Sequence, residues 1–204
     1  MTPARTAIID YGAGNVRSVE RALRRLGATT YRVTHPEGVG GARAIVLPGV
    51  GHYASIIRAL DDQNLRAAIL DAVERGVPFL GICLGLQALY SSSEEAPALC
   101  GLNLFAGSVH SLPTTVKLPH MGWNLLRIRS TSSLLKGIAE SDYFYFAHTF
   151  AAITGSPEVV ATCHHGTTFT AVIERQNIYA TQFHPEKSGA AGARVLQNFV
   201  SLAA

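Results

Sequence analysis

Apolar residues fall in short unbroken runs through the first half of the chain and in alternation through the second. Thr6-Ala-Ile-Ile-Asp10 is a short apolar run closed by Tyr11-Gly-Ala-Gly14, the pattern of a buried strand leading into a turn. Val16, Val19, Leu23 and Leu26 then recur at helical spacing, with Asn15 placed to cap the first turn and Gly27 to end the last. Ala44-Ile-Val-Leu47 is a second buried strand, stopped by Pro48-Gly49, and a helix around Leu65 to Arg75 ends at Gly76. Val77-Pro-Phe-Leu-Gly-Ile82 reads as a third strand and runs straight into Cys83-Leu-Gly-Leu-Gln-Ala-Leu-Tyr90, which is helical in pattern. Strand and helix in this rhythm predict an α/β fold with an open, mostly parallel sheet and helices on both faces.

Between Ser91 and Pro119 the residues are rich in Ser, Glu, Gly and Pro, predicting loop with short strands. Four β-rich segments follow, around Leu125–Ile128, Tyr143–Phe150, Phe169–Glu174 and Ile178–Phe183, and predict antiparallel additions to the sheet. Val195, Leu196 and Phe199 give a closing amphipathic helix. No repeat or linker divides the text, so residues 1–204 are expected to form one domain.

Composition narrows the class of partner. The net charge of +3 comes from 17 basic and 14 acidic side chains spread along the chain. The densest basic cluster, Arg17 to Arg25, contains Glu20 and no interleaved aromatic residue, so nucleic acid is not an expected partner. An odd count of three cysteines without a CxxC pair argues against a disulfide framework and against a structural zinc site. The N-terminal MTPARTAIIDYGAGN lacks the apolar run of a signal peptide, and no stretch reaches the length of a bilayer span, so no membrane is expected and the cytoplasm is the default location. The third glycine of a dinucleotide fingerprint begun at Gly12 would fall at Arg17, and no phosphate loop is present. Neither cofactor nor metal is expected.

The chemistry starts at Gly81-Ile-Cys-Leu-Gly85, a G-x-C-x-G where a strand meets a helix, the thiol version of a nucleophile elbow. Such a turn lifts the Cys83 side chain above the sheet edge at a helix N-terminus, where free amides and the helix dipole favour the thiolate. The N–H of Leu84 would then point toward an oxyanion. A free cysteine in such a joint can also be an inert buried residue. A nucleophilic thiol needs a histidine to move protons and a third group to orient it. Thr181-Gln-Phe-His-Pro-Glu-Lys187 follows a strand, so His184 and Glu186, two positions apart, are expected to point the same way. His35-Pro-Glu37 repeats the tripeptide but reads as an exposed connection. In Cys163-His164-His165 neighbouring side chains alternate faces, which does not make a ligand set, and Cys100 reads as a bystander. Pro48-Gly-Val-Gly51 ends a strand on the same sheet edge. Gly49, Val50 and Gly51 could present a second N–H to an oxyanion after a peptide turns over, or could form a plain turn.

With these pieces placed, the chain resembles a class I glutamine amidotransferase over nearly its whole length. Within that family it resembles the glutaminase subunits of imidazole glycerol phosphate synthase. The resemblance is carried by Asp10-Tyr-Gly-Ala-Gly-Asn, Leu47-Pro-Gly-Val-Gly51, Gly81-Ile-Cys-Leu-Gly-Leu-Gln87, Pro119-His-Met-Gly-Trp-Asn124 and Gln182-Phe-His-Pro-Glu-Lys-Ser188, in order and spacing. It implies that Cys83, His184 and Glu186 hydrolyse glutamine, that Leu84 and Gly51 mark the oxyanion region, and that Gln87 with the backbone of Thr149 and Phe150 holds the substrate. It implies a heterodimer with a (β/α)8-barrel cyclase that receives the ammonia and makes imidazole glycerol phosphate and aminoimidazole carboxamide ribotide, with Trp123 and Lys187 at the contact. By residue type alone Trp123 could equally be a core anchor and Lys187 a solvated charge. Leu86 and Phe150 depart from the Met and Tyr often found there. The rival expectations are a glutaminase subunit of another synthase, such as the pyridoxal phosphate one, and a non-catalytic glutamine-sensing domain.

Overall fold

In a computed structural model that describes residues 5–12, 15–153 and 155–203, the chain begins with β1 (Arg5–Ile9), α1 (Val16–Arg25), β2 (Thr29–Val33), β3 (Ala44–Gly49), α2 (Tyr53–Asp62), α3 (Leu65–Glu74), β4 (Phe79–Cys83) and α4 (Leu84–Gln87). It continues through β5 (Tyr90–Ser93), β6 (Phe105–Ser111), β7 (His120–Leu125), β8 (Arg127–Ile128), β9 (Tyr143–His148), β10 (Phe150–Ala152), β11 (Val159–His165), β12 (Thr167–Arg175), β13 (Ile178–Thr181) and α5 (Gly189–Leu202). Ala13 and Gly14 of the first glycine-rich turn lie outside the described residues.

Eight strands form the main sheet in the order β2-β1-β3-β4-β13-β12-β11-β8. From β2 to β13 each pairing is parallel, and from β13 outward each is antiparallel. Successive residues of a strand face opposite ways, and the two halves of the core divide accordingly. Ala7, Ile9, Ile45 and Leu47 point to one side, where α2 and α3 bury Tyr53, Ile56, Leu60 and Ile69. Ile8, Ala44, Val46 and Leu80 point to the other, where α1 and α5 bury Val19, Leu23, Leu196 and Phe199. Sandwiching both faces is what makes these strands read as continuous apolar runs.

Several expectations change in detail. The segment expected at Ile178–Phe183 forms β13, which pairs antiparallel with β12 as expected but lies parallel to β4 on its other side. It does so because its hairpin with β12 reverses the chain at Gln176, φ 54°, and returns it alongside β4. Of the segments expected around Leu125–Ile128 and Tyr143–Phe150, only β8 joins the main sheet. β7 pairs with β9 as a separate ribbon, and β10-β6-β5 forms a third sheet. β3 continues through Pro48 and Gly49, which pair with Ile82 and Cys83. Its pairing with β1 stops at Val46, so a residue without an N–H is tolerated where only one neighbour remains. The helix expected to run from Cys83 to Tyr90 ends at Gln87. The carbonyls of Ala88 and Leu89 accept instead from Leu102, Leu104 and Phe105, and this turns Tyr90 into the first residue of β5.

The register that matters most sets three strand ends level. Gly49 is opposite Cys83, and Ile82 is opposite Thr181. The residues following β3, β4 and β13 therefore emerge together at the carboxyl edge of a parallel sheet, where open α/β folds gather their ligands.

Candidate active site

Cys83 adopts φ 55° and ψ −106°, a left-handed conformation that a side chain takes up only when its surroundings hold it there. The surroundings are packed backbone. A Cβ on Gly85 would stand 2.0 Å from the Leu47 carbonyl oxygen, and one on Gly49 would stand 2.7 Å from the Leu84 Cβ. Glycine at both positions lets β3 press against the turn and fix it. The helix that follows has only four residues. It supplies unpaired N–H groups beside the sulfur but, being so short, little macrodipole. The sulfur's near neighbours are Gln182, whose Nε2 lies 3.6 Å from the Cys83 Sγ, and His184.

His184 follows the end of β13, and its backbone is held at both ends. Its N–H donates to the Tyr145 carbonyl at 2.9 Å, and its carbonyl accepts from the Ser188 hydroxyl at 2.7 Å. Nδ1 lies 3.0 Å from Glu186 Oε1, which leaves Nε2 for the sulfur. The geometry differs from the extended segment expected. Pro185–Lys187 is a 3-10 turn, and it is this turn that brings the two side chains together. Burial acts against a charge on the His184 ring, but the Cys83 sulfur and then Glu186 outweigh it, and the pKa is pushed up to about 10. Glu186 has a fully buried carboxylate. Its Oε1 also accepts from Asn15 Nδ2 at 3.3 Å, while Oε2 has no partner among the described residues. Asn15 thus does not cap α1 with its side chain, as expected from its position; it reaches across to the carboxylate that orients His184.

A cavity of about 190 Å³ opens onto the sulfur. It brings together six of the residues singled out in the sequence, Val50, Gly51, Leu84, Gln87, Thr149 and Phe150, with Cys83. Gly49 lies outside the lining, in the β3 ladder opposite Cys83. Gln87 Nε2 is engaged inside the protein, 2.7 Å from the Phe150 carbonyl and 3.2 Å from Gln182 Oε1. Sequence reasoning missed Glu95 and His148, which also line the cavity, and Gln182, which touches the sulfur. Glu95 accepts from the Tyr53 N–H at 2.7 Å and places a carboxylate at the wall, a fitting counter-charge for an ammonium group. It comes from a Ser-rich loop without periodic signal, whereas Gln182 stood two places from His184 inside a quoted motif.

Trp123 and Lys187 both stand beside Tyr145, outside the cavity lining. Trp123 is 54% exposed, which removes the core-anchor alternative, and its ring stands 6.0 Å from that of Tyr145. The Lys187 ammonium lies 5.7 Å from the same ring. Tyr143 (55% exposed) extends this apolar face along β9, and Met121 (65% exposed) carries it along β7 to the cavity, which it also lines. His35 is exposed after β2, an edge strand that β1 and β3 separate from β4. A larger open groove of about 830 Å³ runs past Arg127, Arg129 and His164, but burial pushes the only thiol in it, Cys163, up to about 12. Among the described residues no group of three or more His, Cys, Asp or Glu is arranged to hold a metal ion.

The family description "Glutamine amidotransferase class-I" matches residues 7–202. A protein of Methanothermobacter thermautotrophicus named imidazole glycerol phosphate synthase subunit HisH is 50% identical over 196 residues, covering 96% of this chain and 98% of that one. A protein of the same name from Moorella thermoacetica is 46% identical, covering 96% and 94%. Among solved structures, one described as "Crystal structure of glutamine amidotransferase" has a TM-score of 0.78 at 20% identity, covering 97% of this chain and 98% of that one. "Structure of PurLQS from Thermotoga maritima" has 0.79 at 21%, covering 99% of each. At that identity the likeness is one of fold.

Proposed function

This chain belongs to the class I glutamine amidotransferase family, and we propose that Cys83, His184 and Glu186 are the triad with which it hydrolyses glutamine. It is a glutaminase subunit of the HisH kind, from imidazole glycerol phosphate synthase, and works in histidine biosynthesis. The rival expectations, a subunit of another synthase or a silent glutamine sensor, give way to relatives of that one name along nearly the full chain.

The observation that carries the triad is a buried imidazole bonded to a carboxylate at 3.0 Å on one side and coupled to a sulfur on the other. The Cys83 thiolate attacks the side-chain amide carbon of glutamine. The oxygen that becomes negative is met by the Leu84 N–H, with a second N–H from the Gly49–Val50–Gly51 segment after a peptide there turns. Protonated His184 gives its proton to the amide nitrogen, the C–N bond breaks, and ammonia leaves a γ-glutamyl thioester on Cys83. The ring, now neutral, takes a proton from water, and the resulting hydroxide attacks the thioester to release glutamate and the thiolate. Glu186 fixes the tautomer throughout. Gln87, through its bond to the Phe150 carbonyl, braces the Thr149–Phe150 backbone that holds the substrate.

The ammonia passes to a (β/α)8-barrel cyclase subunit in a heterodimer, which makes imidazole glycerol phosphate and aminoimidazole carboxamide ribotide. Its docking face is the exposed patch of Met121, Trp123 and Tyr143 with Lys187 at its edge, larger than scattered surface apolar residues need explaining. Residues 1–204 act as one domain, with the two core clusters sharing one sheet. No helix among the described residues is long and apolar enough to cross a membrane.

The test is the fate of the nitrogen. With amide-15N glutamine, the chain plus its cyclase and the cyclase substrate should place 15N in the imidazole product. Cys83→Ala should remove that transfer while free ammonia still supports the cyclase. Transfer that survives in the variant would rule the triad out.

A further inference from the structure

Two buried histidines that the chemistry above does not use stand beside the glutamine cavity, one of them, His148, in its lining. His120 and His148 face each other across the β7–β9 ribbon, and both are buried. His148 Nδ1 lies 2.9 Å from the Phe150 carbonyl oxygen. A carbonyl only accepts, so the proton sits on that nitrogen. Burial, reinforced by nearby imidazoles, pulls His148 down to about 3 and His120 to about 4, so both rings are neutral at ordinary pH. A neutral ring protonated on Nδ1 has a bare Nε2, and that of His148 lies 3.0 Å from His120 Nδ1. The proton between them therefore belongs to His120. This leaves His120 Nε2 bare in turn, and it lies 3.2 Å from the Asn124 amide nitrogen, which can only donate. One assignment satisfies every atom: Asn124 donates to His120, His120 to His148, and His148 to Phe150.

Both ends of this chain lead somewhere. The Phe150 carbonyl also accepts from Gln87, which continues through Gln182 to the Cys83 sulfur. Asn124 sits on β7 between the exposed Trp123 and Leu125. We propose that His120 and His148 are positioning residues whose one-way order of hydrogen bonds holds the Thr149–Phe150 backbone in register for glutamine and ties it to the strand that meets the cyclase. The proposal rests on the glutamine-site and partner readings above. Packing alone does not ask for this order. His120 stacks on Phe146 at 4.8 Å and on His165 at 4.2 Å, contacts that either tautomer or a phenyl ring would satisfy.

The experiment has two arms on the full chain. Imidazole 15N NMR should show His120 and His148 both protonated on Nδ1, not on the Nε2 that free histidine prefers. In complex with the cyclase, His120→Asn puts an amide where Nδ1–H stood and should keep the glutamine KM near the wild-type value. His120→Gln and His120→Phe offer no donor there and should raise KM about tenfold with kcat little changed, the loss of one hydrogen bond from ground and transition state alike. An Nε2–H tautomer on either ring, or one and the same KM for the Asn, Gln and Phe variants, would overturn the proposal. If the variants fold poorly, the tautomers of the wild-type chain decide alone. A wild-type complex without glutaminase activity would instead sink the functional reading, and the NMR arm would still judge the hydrogen-bond order.

Discussion

The imidazole of His184 holds its proton far above the ordinary histidine range of about 6.5, because the gain from the sulfur and from Glu186 exceeds the loss from burial. The sign of the pH dependence follows. A raised pKa keeps the ring charged, ready to protonate departing ammonia, through neutral pH, and that readiness fades as pH climbs through about 10. Glu186→Gln removes one of the charges that raises it. The alkaline limb of kcat/KM should therefore move to lower pH, with activity down by about a hundredfold to ten-thousandfold; an unmoved limb would mean that Glu186 does not set the ring's proton affinity. At this scale the grouping of Cys83, His184 and Glu186 was readable because each lies in a tight local motif. Asn15 was misread, and Glu95, Gln182 and His148 went unread, because their roles come from contacts with segments remote in sequence: Asn15 meets Glu186 across 171 positions. Local rules assign a residue before a helix to capping, and only the folded chain offers it a carboxylate instead.

The elbow depends on how closely β3 approaches the turn between β4 and α4. Gly85→Ala would drive a methyl group into the Leu47 carbonyl, a fixed backbone atom. We expect a loss of about 3 kcal/mol or more in chemical denaturation, at the upper end for overpacking. Gly40→Ala, whose new Cβ would meet only the Glu37 carbonyl at 3.7 Å, should stay within about 0.5 kcal/mol. Equal stability of the two variants would show that the turn has room to spare. The strands and helices with strong runs, β1, α1, β3, α3, β4 and α5, were read near their true places. β2, α2 and β11 were not. The Thr29–Val33 strand is too short and too polar to stand out, with Thr29 and Arg32 exposed. α2 starts on a histidine, His52, whose ring accepts from the Ala54 N–H at 3.0 Å, a capping residue outside the usual set.

For the molecule as a whole, apolar runs followed by alternation were enough to read an α/β sheet that is parallel at its centre. They could not say which β-rich segments join that sheet. Pairing partners are chosen by long-range register, and β7 with β9 leaves it to form a ribbon that carries an exposed apolar face on one side and the buried histidines on the other. An exposed Trp ringed by Met and Tyr is the composition of an interface centre. Trp123→Ala should weaken cyclase binding by about 2 kcal/mol, roughly thirtyfold in Kd by calorimetry, and leave the stability of the isolated chain within about 0.5 kcal/mol. Unaltered affinity would place the partner elsewhere.

All of this chemistry passes through one covalent bond. Rapid acid quench of the working complex with radiolabelled glutamine, followed by proteolysis and mass spectrometry, reads it directly. We predict a glutamyl group on the peptide carrying Cys83, present in the wild type and absent from Cys83→Ser. Turnover with the label on another residue, or with none attached at any time after mixing, would contradict the account.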